Sequence, residues 1–289
     1  MSVTVDYAPP VLRPASARWR TALLALVGLE LLALYAPTLR WLYGRWTMSV
    51  WHNAHGLFIP PLVGWLIYDE LKRHRDLPTG SSAWGFVLLI PALALTALDA
   101  GMHTELLSAV AIVVALPGLA LLFLGVPRTR VILFPLCFSA FALPIPLGMT
   151  ETAHLVLRHV TVAASSTILP LLGITIFTEG TTLHTVRGAM EVADACSGFS
   201  TLYAAMAVAC LTAYTASSAK RRALVLAAAA PVAIVSNILR VILLVALVVW
   251  RGEGVLETPL HPLSGLMTFG LSLPIIFWLG GPARTGSRR

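Results

Sequence analysis

About eight runs of mostly apolar residues, separated by short basic clusters, dominate this sequence, at roughly 21–38, 53–69, 84–100, 106–125, 131–149, 197–215, 223–250 and 263–281. A helix that crosses a bilayer needs about 20 largely apolar residues, so each run is a candidate span, the second and third being short. Composition agrees: 57% of residues are hydrophobic and 11% charged, against about 25% charged in an ordinary soluble domain. A mean hydropathy of +0.83 leaves more apolar surface than one water-soluble core can hide. A water-soluble enzyme, a disordered chain and a coiled coil are excluded. The expected fold class is all-α, a polytopic membrane helix bundle in one domain.

The net charge of +7 does not point to nucleic acid, because the basic residues cluster between apolar runs rather than along one face. Such clusters orient membrane helices. With the N-terminus in the cytoplasm, the inner segments carry Arg13, Arg18, Arg20, Lys72, Arg73, Arg75, Arg128, Arg130, Lys220, Arg221, Arg222, Arg284, Arg288 and Arg289, which is 14 of the 20 basic residues. Both termini are therefore expected inside. The organisation read from this is a tail over 1–20, an integral membrane catalytic domain over 21–281 and a basic tail over 282–289. Small-residue cleavage chemistry does not follow the first apolar run, so no cleavable signal peptide is expected.

The long connection over 150–196 falls on the outer side. From Glu151 to Leu172 it mixes His154, Arg158 and His159 with leucines and valines at helical spacing, which predicts a helix lying in the outer interface. β-branched residues alternate between glycines from Gly173 to Gly188 and predict a small hairpin. Such a structure is allowed outside lipid but not with an open edge inside it. No internal repeat is visible, which disfavours an inverted-repeat transporter.

Polar groups gather at three places where a plain anchor would have none: Glu191 to Thr201, Ser236 to Arg240, and His261 to Gly265. An arginine deep in a span costs about 2.5–3.5 kcal/mol on insertion scales and is a functional hypothesis by default. Counted from the Lys220-Arg221-Arg222 anchor, Arg240 reaches the outer-leaflet level, with Asn237 on the same helical face. A structural ion pair to Asp194 or Glu191 is its plainer reading. Cys196 follows two acids, precedes Ser197-Gly198 and opens a helix, where a thiol pKa falls; a small buried hydrophobe is the alternative. Cys137 and Cys210, flanked by apolar residues, fit that alternative, and no CxxC spacing suggests a disulfide or zinc site. His261 lies on the same outer side as Cys196, and with Arg240 the three offer a nucleophile, a base and an electrostatic stabiliser. The His52-Asn-Ala-His55-Gly56 cluster reads as interfacial hydrogen bonding rather than metal binding. Glu30 is the only acid read clearly within a span.

Ala195-Cys196-Ser197-Gly198, Asn237-Ile-Leu-Arg240 and His261 with Gly265 resemble the three signature blocks of the exosortase/archaeosortase family. His55-Gly56-Leu-Phe-Ile-Pro-Pro61 resembles an upstream segment of the family. Pro144-Ile-Pro146, Gly173-Ile-Thr175 and Glu179-Gly180 fall where it has similar stretches. The likeness covers roughly 50–275. This chain departs from the family at Asp194, often glutamate, and at Phe199-Ser200, often leucine-arginine, and no appended periplasmic domain is expected.

The resemblance implies a multipass cysteine peptidase or transpeptidase of the bacterial inner membrane, with its site facing the periplasm. Cys196 would be the nucleophile, Arg240 the charge stabiliser and His261 the acid/base group. Asp194, Ser197, Gly198, Asn237, Gly265 and His55 would support them. Its partners would be exported proteins with a C-terminal signal of the PEP-CTERM kind, comprising a short motif, a membrane helix and a basic tail. Membrane lipids would surround it, and water, an amine or a glycolipid would serve as acceptor. No cofactor, metal or nucleic acid is expected. A small transporter would instead string ionisable groups along a path through several spans, and a lipid-linked sugar transferase would favour paired acids. A scaffold would tolerate loss of all three signature side chains.

Overall fold

The computed structural model describes residues 17–47, 53–192 and 197–281. Asp194, Cys196, His52 and most of the two tails lie outside them. Nine α-helices are described: α1 (Ala17–Thr47), α2 (Ile59–Arg73), α3 (Gly85–Met102), α4 (Leu106–Val131), α5 (Leu133–Phe138), α6 (Leu147–Leu171), α7 (Phe199–Thr215), α8 (Ala219–Arg251) and α9 (Leu260–Gly280). Between α6 and α7 stand three short strands, β1 (Ile176–Glu179), β2 (Thr182–Thr185) and β3 (Gly188–Glu191).

Five of these helices contain a stretch long and apolar enough to cross a membrane: Ala25–Thr47, Gly85–Met102, Leu106–Val131, Ala219–Arg251 and Leu263–Gly280. Their outward faces carry large apolar side chains such as Leu29, Ile90, Leu266, Leu271 and Trp278, as expected where the surrounding solvent is lipid.

Of the remaining three apolar runs, two are interrupted and the third forms a shorter continuous helix. The 53–69 run opens with a 3-10 turn over Ala54–Leu57 and becomes helical only at α2, where Pro60 and Pro61 occupy the first positions, at which a missing N–H costs nothing. The 131–149 run is broken. It forms α5 and a 3-10 turn over Ser139–Ala142, then extends from Leu143, because Pro144 and Pro146 disfavour helix in the residues before them. The last run forms α7, 17 residues or about 26 Å long. α1 in turn continues past the expected end at 38, since Arg40 and Arg45 interrupt hydropathy but not helix propensity.

The stretch from Glu151 to Leu172 is helical as α6, and the expected hairpin is an antiparallel three-stranded meander in the order β1-β2-β3, with Leu183 opposite Met190. Leu183 and Met190 pack with Val192 against Val162 and Leu169 of α6 and Val241, Leu244 and Val245 of α8. α8 has 33 residues, about 50 Å, against an apolar bilayer core of about 30 Å. Part of the excess length is the platform for this sheet. At its other end Ser218 caps α8, its hydroxyl accepting from the Arg221 amide at 3.3 Å. α7, α8 and α9 share a core of small residues, Ala205, Ala209, Ala229 and Ala233, closed by Val225 and Ile276.

Two further corrections concern polar residues. Asp99 of α3 is a buried acid within a candidate span, so Glu30 is not the only one. Its carboxylate accepts from the Thr104 and Ser108 amides at 3.1 and 2.9 Å and so satisfies donors at the start of α4 that would otherwise be orphaned. Cys137 is exposed and Cys210 half-buried, so neither is the fully buried thiol expected.

α3 and α4 meet through glycines. A Cβ at Gly118 would lie 2.9 Å from Leu89 Cγ and 3.0 Å from the Gly85 carbonyl. Gly118→Val is expected to destabilise this pair by about 1–3 kcal/mol, the usual cost of overpacking. A thermal-unfolding series on the reconstituted protein checks it, with Gly64→Val, where nothing lies within 4 Å of an added Cβ, as the neutral control.

Candidate active site

Apart from His55, the sequence-predicted residues that the structure describes converge where α6, α7, α8 and α9 meet. Arg240 projects from α8 and keeps only 6% of its surface accessible. Its Nε donates to Ser264 Oγ at 3.3 Å, and that hydroxyl donates in turn to the His261 carbonyl at 2.6 Å. The second bond orients Ser264 so that its lone pairs face the guanidinium. Gly265 lies against the same group, and an added Cβ there would stand 3.1 Å from Arg240 Cζ. A side chain at this position would crowd the guanidinium.

Asn237 lies one turn before Arg240 and is 2% exposed. Its Nδ2 donates to Thr161 Oγ1 of α6 at 3.1 Å, which ties α6 to α8. Gly198 sits directly on Asn237: a Cβ there would approach its Cγ to 2.6 Å, and the backbone φ of +88° is one that residues with side chains rarely adopt. Only glycine lets the start of α7 descend onto α8 in this way.

Ser197 is fully buried, and its Oγ shares a 2.7 Å hydrogen bond with His154 Nδ1. The Phe199 amide also donates to that hydroxyl at 3.3 Å. The His154 ring lies 4.7 Å from the Phe199 ring. Sequence reasoning placed His154 on an interfacial helix and gave it no part in the site. Its signal was present, since α6 puts His154, Thr161, Val162, Ser165 and Leu169 on its buried side, but a partner 43 residues away is not written in local spacing.

His261 stands at the start of α9, before its apolar stretch. Partial burial and the Arg240 charge hold its pKa below the ordinary histidine value, against a hydrogen bond to the Leu256 backbone that acts in the opposite direction. Burial is the larger cause. The ring is therefore neutral at pH 7, and a nitrogen that donates to the Leu256 carbonyl leaves the other as a base. His55 approaches from a different side. It packs edge-on to Tyr203 of α7 at 5.0 Å, and Tyr203 stacks in turn on Phe199 at 6.5 Å. Its Nε2 is buried without a hydrogen-bond partner among the described residues. His55 thus reaches the opening of α7 through aromatic rings. Glu191, considered as an ion-pair partner for Arg240, is exposed at the end of β3.

Together these features define a class: a polytopic helical membrane protein with a buried arginine, an asparagine and a neutral histidine gathered at the mouth of its bundle. Residues 46–278 match the family described as transmembrane exosortase (EpsH). The chain belongs to that family. No curated relative and no solved structure matches it.

The Asn237–Thr161 bond is measurable. In a double-mutant cycle with Asn237→Leu and Thr161→Val, unfolding is expected to give a coupling of about 0.6 kcal/mol and at most about 1.7, the average and maximum for interhelical hydrogen bonds in a membrane. A coupling of zero would show that Asn237 does not hold α6.

Proposed function

We propose that this chain is a cysteine peptidase or transpeptidase that removes the C-terminal sorting signal of exported proteins, with residues 21–281 as the catalytic domain. The gathering of Ser197-Gly198, Asn237, Arg240 and His261 at one place carries the reading. Cys196, the residue before Ser197 in the sequence, is the nucleophile of this reading.

In the proposed reaction neutral His261 accepts the Cys196 thiol proton, and the thiolate attacks the scissile carbonyl carbon. The carbonyl π electrons move onto oxygen, and the Arg240 guanidinium stabilises the developing negative charge in a site of low dielectric. As the tetrahedral adduct collapses, the C–N bond breaks. His261 returns its proton to the departing amine, and a thioester on Cys196 remains. Water, an amine or a glycolipid hydroxyl, deprotonated by His261, then attacks the thioester and restores the thiol. Asp194, Ser197, Gly198, Asn237 and Gly265 hold the reacting groups, with His55 behind Tyr203. The site faces the outer side of the inner membrane, where a bond next to a substrate's membrane helix would present itself. The substrate's short motif, helix and basic tail are the features it would recognise.

In the native host, Cys196→Ala is expected to leave exported proteins with their C-terminal helix and basic tail, as read by mass spectrometry. Unchanged cleavage would overturn the reading.

The pH profile tests His261 separately. The active form needs a neutral imidazole, so activity falls as pH drops through a pKa lying below the ordinary value of about 6.5. Arg240→Gln removes one cause of that lowering. Residual kcat/KM should therefore lose activity at a higher pH than wild type, though burial still holds the limb below the ordinary value. An unmoved acid limb would show that His261 is not the titrating base.

A further inference from the structure

Two side chains on the buried face of α6 reach other elements. Thr161 Oγ1 accepts from Asn237 of α8. His154, seven residues earlier and about 10 Å along the helix, is buried, and its Nδ1 shares the 2.7 Å hydrogen bond with Ser197 Oγ. One helix thus grips both α8 and the chain two residues before α7 begins. His159 behaves differently: it is exposed, and its Nδ1 donates to the Leu155 carbonyl of its own helix at 2.8 Å.

The turn from Ser197 to Phe199 is fixed at each residue. Ser197 Oγ accepts from the Phe199 amide at 3.3 Å, a bond by which a serine folds the backbone two residues ahead of it and which occupies one of the amides left over at a helix start. Gly198 holds a φ of +88° against Asn237, and its carbonyl accepts from the Leu202 amide at 2.9 Å. The Phe199 ring packs between those of His154 and Tyr203, at 4.7 and 6.5 Å. His154 therefore touches the turn twice, by a hydrogen bond to its first residue and by ring contact with its last. A serine side chain has three staggered positions, and the two bonds to Oγ together hold Ser197 in one of them.

We propose that His154 is a positioning residue for the cleavage reaction: its Nδ1, acting through Ser197 Oγ, sets the turn that follows Cys196 in the sequence and with it the presentation of the thiol to the scissile carbonyl. The proposal rests on the reading of Cys196 as nucleophile. His154 makes no substrate contact and transfers no proton in it; those roles stay with Cys196, Arg240 and His261.

The test uses the reconstituted full chain incubated with a synthetic sorting-signal peptide. His154→Leu is expected to lower kcat about a hundredfold, the effect that a displacement of about 1 Å can produce. KM should be unchanged, because no substrate contact is lost. His154→Asn keeps a polar atom near the Nδ1 position and should restore most of the rate, whereas His154→Gln carries its amide toward the Nε2 position and should not. Ser197→Ala should lose as much as His154→Leu, and the double substitution no more than either alone. His159→Leu should match wild type. If His154→Leu fails to fold, the comparison of Asn with Gln decides. Equal rates for those two variants, or losses across the series that follow a falling unfolding temperature, would assign His154 to packing and overturn the proposal. A wild-type kcat in His154→Leu beside an inactive Cys196→Ala would overturn it and leave the peptidase reading standing. Cleavage that survives Cys196→Ala would overturn that reading, and the proposal with it.

Discussion

Burying the Arg240 guanidinium is the constraint from which the rest of the site follows. A charge moved out of water costs several kcal/mol unless its hydrogen-bonding groups are satisfied, and an arginine on a membrane helix has few places to find acceptors. Ser264 supplies one, oriented by its own bond to the His261 carbonyl. Gly265 supplies the space for the group to lie flat against α9. The positions of α8 and α9 are thus linked through one side chain, and His261 is placed where the arginine charge reaches it. On the neighbouring turn Asn237 does the same for α6 and, through Gly198, for the start of α7.

The same geometry explains why α8 is longer than a bilayer requires. Its extension carries Val241, Leu244 and Val245 up to the small sheet, and Leu183 and Met190 close over them. A three-stranded sheet of four-residue strands would be marginal alone. Packed on α6 and α8 it becomes a lid on the extended helix, and it sets the path of the chain between α6 and α7.

The sequence made much of this legible where the signal is local. Apolar runs between basic clusters locate α3, α4, α8 and α9 closely, because hydropathy and helix length measure the same thing in a bilayer. Asn237 and Arg240 share a face because they are three apart. The runs at 53–69 and 131–149 were less legible: their prolines redirect the backbone without altering hydropathy. His154 and Asp99 were missed for another reason. Their partners, Ser197 and the start of α4, are set by tertiary packing and a turn, and a buried histidine or aspartate on an apolar helix looks alike whether it is idle or engaged. The third strand was hidden because Arg187-Gly188 reads as an end to alternation, whereas the chain turns at Val186-Arg187 and β3 begins at Gly188.

The central claim is that Cys196 forms a thioester beside Arg240 and His261. The most direct measurement is intact-mass spectrometry of the reconstituted protein, quenched in acid during incubation with a synthetic sorting-signal peptide. The account predicts an adduct equal in mass to the substrate's N-terminal portion. It should map to Cys196, be released by hydroxylamine and be absent in Cys196→Ala. An adduct on another side chain, or turnover that persists without Cys196, would contradict it.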